Sequence, residues 1–279
     1  MSDEQLPPPP PQVPATPPPP TPSPLPPPPP PPGLTAPPGY VAYNNAPTPT
    51  GRLKRIGGLA RWATITTAFA GVLSVVSSIV LAPVVGKASD FLAGEISEDE
   101  FNDAYLSSQL LSTLQTVVGL AAGVVTIIWL YRIAANVRVY SRRTTFNPVF
   151  AILGWILPPF LYVLPLLVIR ELWKASDPDI AVGDEGWRSS KVNPLLYVWF
   201  VIYGVIPAIL TAFVTVATFE SVFDGGLTDG GSARLTAEAL ESSGQFTVAS
   251  GLVTLVAAVV WVILVKQLTA RHVALTGED

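Results

Sequence analysis

The chain has 279 residues, of which 49% are hydrophobic and 13% charged, with a formal net charge of -4 and no cysteine. Ordinary soluble domains carry roughly 25% charged residues, so long uncharged apolar runs must supply the shortfall and the chain reads as an integral membrane protein. Without Cys there is no disulfide framework, thiolate nucleophile or Cys-ligated metal, and neither a cofactor nor a nucleic-acid partner is expected.

Residues 1–50 hold 23 of the 31 prolines, and no charge falls between Glu4 and Arg52. Proline removes the backbone donor and fixes φ, so residues 1–51 are expected to form a disordered polyproline II tail. Such an arm is either a semi-stiff spacer or a ligand for an aromatic-lined groove on a protein partner. Met1 opens onto prolines, so no cleavable signal peptide is read.

Residues 52–275 form the expected membrane domain, an all-α helical bundle. Arg52, Lys54, Arg55 and Arg61 precede a first span over about 62–85, whose Ser and Thr hydroxyls can bond the preceding helical turn. An acidic loop follows, with Lys87 facing Asp90, Glu95, Glu98, Asp99, Glu100 and Asp103. Ser97 with Glu100 three residues on predicts a capped helix start that leads into a second span, about 108–131. Gly119 and Gly123 give that span a GxxxG face able to seat a neighbouring helix.

After Trp129 come Arg132, Arg138, Arg142 and Arg143 without an acid, then Asn147-Pro148 and an apolar run over about 148–170. Pro158, Pro159 and Pro165 inside this run penalise a straight spanning helix. It is therefore expected either to re-enter, to lie at the interface, or to form a fifth hydrophobic segment. A third span, about 194–219 and kinked at Pro207, a second acidic loop, and a fourth span, about 243–265, complete the chain before Lys266, Arg271 and His272.

Basic residues gather on the cytoplasmic side of membrane proteins. Five crossings would place nine bases inside and seven outside, whereas four crossings with a same-side middle segment place 14 inside and two outside. The second arrangement is preferred and puts both termini in the cytoplasm. A 67-residue offset relates Trp62 to Trp129 and Pro194 to Trp261, which suggests two tandem two-span units. Trp62, Trp129 and Trp261 would then mark the cytoplasmic interface.

The block WLYRIAANVR, followed by GWILPPFLYVLPLLVIRELWKASDP from Gly154 to Pro178, resembles an actinobacterial membrane family, the domain-of-unknown-function family 4328. The resemblance rests on the spacing of Trp129, Asn136, Trp155, Pro158, Pro165, Glu171, Leu172 and Trp173, and extends more loosely over residues 55–270. Pro159-Phe160-Leu161 departs from it where an asparagine would be expected soon after the first proline. What the resemblance implies is a multi-span bacterial inner-membrane protein, with no activity attached.

None of the four expected spans carries an ionisable residue in its core, which disfavours a proton-coupled pump. The single histidine, His272, stands without HExxH or GxSxG and is expected to be solvated, so no enzyme and no metal site are read. The acidic loops lack the spacing of an EF-hand. If the middle run folds back, a cytoplasmic-mouth site would gather Arg132, Asn136, Arg138, Asn147, Trp155, Pro158, Pro159, Pro165, Arg170, Glu171 and Trp173, with Arg142 and Lys174 alongside. The plainer expectation is a structural plug in which Glu171 pairs with one of the arginines. Three functions are carried forward: a membrane anchor or scaffold that displays the proline-rich arm, a facilitator or transporter of a lipid or small neutral solute, and a regulatory partner of a membrane enzyme.

Overall fold

A computed structural model describes residues 51–156, 163–209, 212 and 232–278. The proline-rich tail, Pro158, Pro159 and most of the third expected span beyond residue 209 lie outside the described residues. All described secondary structure is helical. Three helices, α1 (Gly57–Leu92), α2 (Glu98–Val139) and a long C-terminal helix Ser232–Thr276, are long and apolar enough to cross a membrane. Spanning needs about 20 residues, so helices of 36, 42 and 45 residues project well beyond a hydrocarbon core.

The start of α2 lies at the predicted cap: the Ser97 side chain accepts from the Glu100 N–H at 3.3 Å. The reciprocal half of a capping box is replaced by an ion pair, because Glu100 reaches Lys87 at 3.2 Å. Between α2 and the C-terminal helix lie α3 (Phe150–Leu153), α4 (Val163–Ala175), a 3-10 turn (Glu185–Ser189) and α5 (Leu195–Phe200). The C-terminal helix is therefore α6. Pro165 falls in the first turn of α4, where a missing N–H leaves no intrahelical bond unmade. From α5 the chain widens into a π turn, Val201–Val205, just ahead of Pro207. Widening there relieves the clash an α-turn would create between the proline ring and the preceding carbonyls.

Contacts fix the helix directions. The lead-in to α1 meets the C-terminal part of α2 at Lys54 and Asn136, and that part of α2 meets the end of α6 at His272. Farther along, Gly71 approaches Ala258 and Gly244 approaches Val85. So α1 runs antiparallel to both α2 and α6, which run parallel to each other. Gly251 permits the closest approach of α1 and α6: a Cβ there would lie 1.9 Å from Ser78 Oγ and 2.7 Å from the Ser74 carbonyl. Ser74 Oγ also bonds the Gly251 carbonyl across the interface at 3.0 Å.

The segment after α2 closes on itself. Ser141, at φ +58°, turns the chain out of α2. Both oxygens of the Glu171 carboxylate then accept backbone N–H groups, from Thr145 at 2.5 Å and from Phe146 at 3.0 Å. Residues 25 or 26 apart in sequence are thus in direct contact, so the proline-broken run leaves and returns at one place. Gly154 lets the outgoing and returning arms cross, since a Cβ would meet Leu164 at 3.3 Å and the Phe150 carbonyl at 3.0 Å. Glu171 therefore pairs with backbone amides and not, as expected, with an arginine; four residues short of the end of α4, its carboxylate ties down a turn rich in unpaired donors.

Of the three tryptophans expected at the interface, Trp62 is 60% exposed, while Trp129 and Trp261 are 1% and 5% exposed and meet edge to face with ring centres 6.3 Å apart. They belong to the interior because α2 and α6 run side by side at this depth. In the expected second tandem unit, the first helix is described only over 195–209, so the 67-residue relation stays a property of the sequence.

Candidate functional site

Polar groups from five separate segments meet at the end of the bundle where α1 begins and α2 and α6 end. Asn136 stands at the centre, 1% exposed. Its Oδ1 accepts the Lys54 N–H at 2.8 Å and its Nδ2 donates to the Lys54 carbonyl at 2.8 Å, which clamps the lead-in to α1. That two-point pairing fixes the amide orientation. The second Nδ2 proton then faces His272 Nε2 at 3.3 Å, so Nε2 is the acceptor and the imidazole carries its proton on Nδ1. Nδ1 lies 3.0 Å from Ser176 Oγ and donates to it.

His272 is fully buried, which corrects the solvated histidine expected from the sequence. It lies beyond Lys266, past the apolar stretch of α6. Burial, with the positive charge of Arg142 adding to it, pushes its imidazole down from 6.5 to about 4. Asn136, Ser176 and His272 have the residue types of a hydrolytic triad but not its wiring. Nδ1–H points at the serine, so the nitrogen facing the hydroxyl cannot take its proton.

Arg142 is 1% exposed and threads into the turn after α4, donating to the carbonyls of Ala175 at 2.6 Å, Asp177 at 2.8 Å and Ile180 at 2.5 Å. Burial lowers its guanidinium from the ordinary arginine value, an effect that the Asp177 charge opposes. Asp177 in turn meets Arg271 Nη2 at 2.6 Å, and Arg271 Nε donates to the Trp173 carbonyl at 3.1 Å. Burial alone would raise the Asp177 carboxyl, but hydrogen bonds, the Asp179 N–H among them, and the Arg271 charge hold it below the usual range.

The residues anticipated for a mouth site are divided among four places. Asn136 is in this lock, and Trp173 packs beneath Arg271, whose guanidinium carbon lies 5.7 Å from the ring centre. Arg170 and Glu171 line a cleft of about 240 Å³ with Lys174 and Arg188. Arg132 belongs to a recess on the other side of the α1 lead-in, while Arg138 and Asn147 are exposed and Pro165 is buried in α4.

Trp155 points elsewhere, into an aromatic cluster centred on Trp261. Its ring lies 6.2 Å from both Trp199 and Trp261, Trp199 lies 4.6 Å from Trp261, and Trp199 stacks on Tyr203 at 4.9 Å. These rings floor a chamber of about 390 Å³ between α1, α2, α5 and α6, whose α2 wall includes Gly119 and Gly123. No described residue would touch a Cβ at either glycine. Among the described residues, then, no helix is seated on the GxxxG face.

Along the same three long helices lies a second chamber of about 400 Å³, lined by Ser74, Ser77 and Ser78 of α1, Ser108, Gln109, Ser112, Gln115 and Thr116 of α2, and Thr247, Ser250 and Gly251 of α6. Most of these hydroxyls donate to a carbonyl in the preceding turn of their own helix. Their lone pairs stay available to accept, and Ser77 Oγ is buried without a partner among the described residues. Gln115 and Ser112 make no side-chain hydrogen bond among the described residues. The two chambers follow one another along α1, Thr67 to Gly71 bordering the first and Ser74 to Leu81 the second. Among the described residues, neither is lined by Asp, Glu, Lys, Arg or His, and no group of His, Asp and Glu could hold a metal ion.

The sequence carries a signal for this groove beyond backbone bonding and close helix packing. Ser108, Ser112 and Gln115 recur at helical spacing on one face of α2, as Ser74, Ser77 and Ser78 do on α1. No curated protein and no solved structure matches the chain. The profile of a domain of unknown function, DUF4328, matches residues 93–270, well over half of the chain, and takes in Asn136, Arg142, Ser176 and Asp177 of the site but not α1, its lead-in, Arg271 or His272. The chain belongs to the domain-of-unknown-function family DUF4328.

Proposed function

We propose that this membrane protein accommodates a small uncharged solute or a neutral lipid in the groove between α1, α2 and α6, as a facilitator or carrier and not as an enzyme. The observation that carries this reading is the pairing of an aromatic chamber with a hydroxyl-lined one, neither of them lined among the described residues by Asp, Glu, Lys, Arg or His. A charged ligand would lose its hydration there without gaining a countercharge, whereas a neutral hydrogen-bonding ligand finds acceptors along the hydroxyls and a flat apolar floor at the tryptophans. In this reading the protein sits in the cell membrane with four crossings, residues 148–170 re-enter from the cytoplasmic side, and both termini are cytoplasmic.

Proteoliposomes challenged with a panel of uncharged polyols, amides and neutral lipids test the proposal. Uptake or transbilayer movement of at least one member, abolished by Gly119→Leu with Gly123→Leu, is the expected result. No binding and no movement for the whole panel, or movement indifferent to these substitutions, contradicts it.

A second reading, an anchor that displays the N-terminal arm to a protein partner, is supported by the concentration of 23 prolines in residues 1–50. Partners that co-purify with the full chain and disappear when residues 1–50 are deleted would favour it, and an unchanged partner set would remove it.

A further inference from the structure

Outside the lock, at the same end of the bundle, three arginines converge with no acid to balance them. Arg55 lies in the extended lead-in to α1, Arg61 stands in the first turns of that helix, and Arg132 reaches over from α2. Arg132 Nη1 donates to the Arg55 carbonyl at 2.8 Å, which positions its guanidinium while leaving most of its donors unused. The three side chains border an open recess of about 630 Å³ whose floor includes Gly57, Gly58 and Leu59. A Cβ at Gly58 would meet nothing within 4 Å. Among the described residues none of the three guanidiniums is within ion-pair distance of a carboxylate, although Arg188, Arg234, Arg271 and Lys87 all are. Lys54 is turned away from the recess, its ammonium 4.8 Å over the Tyr131 ring.

Three guanidiniums held together without a counterion repel one another, and the arrangement is relieved by an anion that accepts several N–H bonds at once. Phosphate oxygens match the guanidinium fork in spacing and plane. The position of the recess selects the source of the phosphate. Trp62, next to Arg61, is 60% exposed, and the exposed Ile65 and Phe69 continue along α1 away from the recess. Polar surface gives way to apolar surface within two helical turns, as at the boundary between headgroups and acyl chains. We propose that Arg55, Arg61 and Arg132 form a binding site for the phosphate of an anionic lipid headgroup, the acyl chains lying along the outer face of α1.

Native mass spectrometry of the delipidated full chain, titrated with phosphatidylglycerol, phosphatidylcholine or inorganic phosphate, tests the site. The expected result is selective retention of phosphatidylglycerol, weakened about tenfold or more by Arg55→Gln with Arg61→Gln and left unchanged by Lys266→Gln, an exposed base on α6 outside the recess. Adding Arg132→Gln should weaken retention further. If that variant does not fold, the Arg55/Arg61 pair alone decides, because both side chains are exposed and their removal leaves the core intact. Equal loss in Lys266→Gln, or no loss in the pair, would overturn the site. Displacement of the lipid by millimolar inorganic phosphate would assign the recess to a free anion and overturn the lipid.

Discussion

The two ends of the bundle use polar residues in opposite ways. At the locked end, Asn136, Arg142 and His272 are each buried and take partners from segments 33 to 136 residues away in sequence. In the hydroxyl-lined chamber, Ser78, Ser108, Thr116, Thr247 and Ser250 bond the preceding turn of their own helix, and only Ser74 also reaches across, to Gly251. A hydrogen bond between distant segments fixes tertiary structure, whereas one to the same helix only neutralises the hydroxyl proton and leaves lone pairs for something else. Locked polar groups therefore act as cement, and self-satisfied ones act as lining.

Breaking the cement should cost most. Arg142→Met strands the carbonyls of Ala175, Asp177 and Ile180 and removes a buried charge from beside Asp177. A loss of about 3–5 kcal/mol in detergent-solubilised unfolding is expected, with the turn after α4 exposed to protease. Acid should attack the same place through His272. Its folded value of about 4 lies below the ordinary 6.5, so above pH 6.5 the imidazole is neutral in both states and has no effect. As pH falls from 6.5 towards 4 the unfolded chain takes up a proton that the folded chain refuses, and stability declines by roughly 3 kcal/mol in all. The Asp177 carboxyl, held low in the folded chain, adds its own loss only at still lower pH. Unfolding midpoints measured across this window should show the decline, and His272→Gln should flatten the upper part of it.

At the other end smaller effects sharpen the contrast. Gly251→Ala forces a methyl against Ser78 and the Ser74 backbone, prising α1 from α6 at a cost of about 1–3 kcal/mol in the same unfolding measurement. Gly119→Leu meets no described residue and should change stability by no more than about 0.5 kcal/mol while obstructing the groove. A large drop in stability from Gly119→Leu would mean that the chamber is packed and not open.

What the sequence disclosed follows the same division. Local signals were legible: Ser97 and Glu100 marked the start of α2 because a cap is read within four residues, and the long apolar runs marked the three long helices. The lock was not legible, because His272 meets Ser176 and Asn136 only after 96 and 136 residues of intervening chain have folded. A lone histidine after the last apolar run has no neighbour in sequence that betrays burial. The burial of Trp129 and Trp261 was illegible for a related reason. Interfacial preference describes the type of residue, whereas the parallel run of α2 and α6 turns these two rings towards each other. Glu171 was expected to seek an opposite charge, but the nearest unpaired donors were the Thr145 and Phe146 amides exposed by the turn after α2.

In the proposed topology the chain between α2 and α5 leaves and rejoins the bundle at its locked end, and the two ends face opposite sides of the membrane. The chain has no native cysteine, so single cysteines can be placed at Asp184, Glu95 and Gly277 and labelled with a membrane-impermeant maleimide in intact and in opened cells. Cysteines at 184 and 277 should label from one side and that at 95 from the other. Labelling of positions 184 and 95 from the same side would contradict this topology.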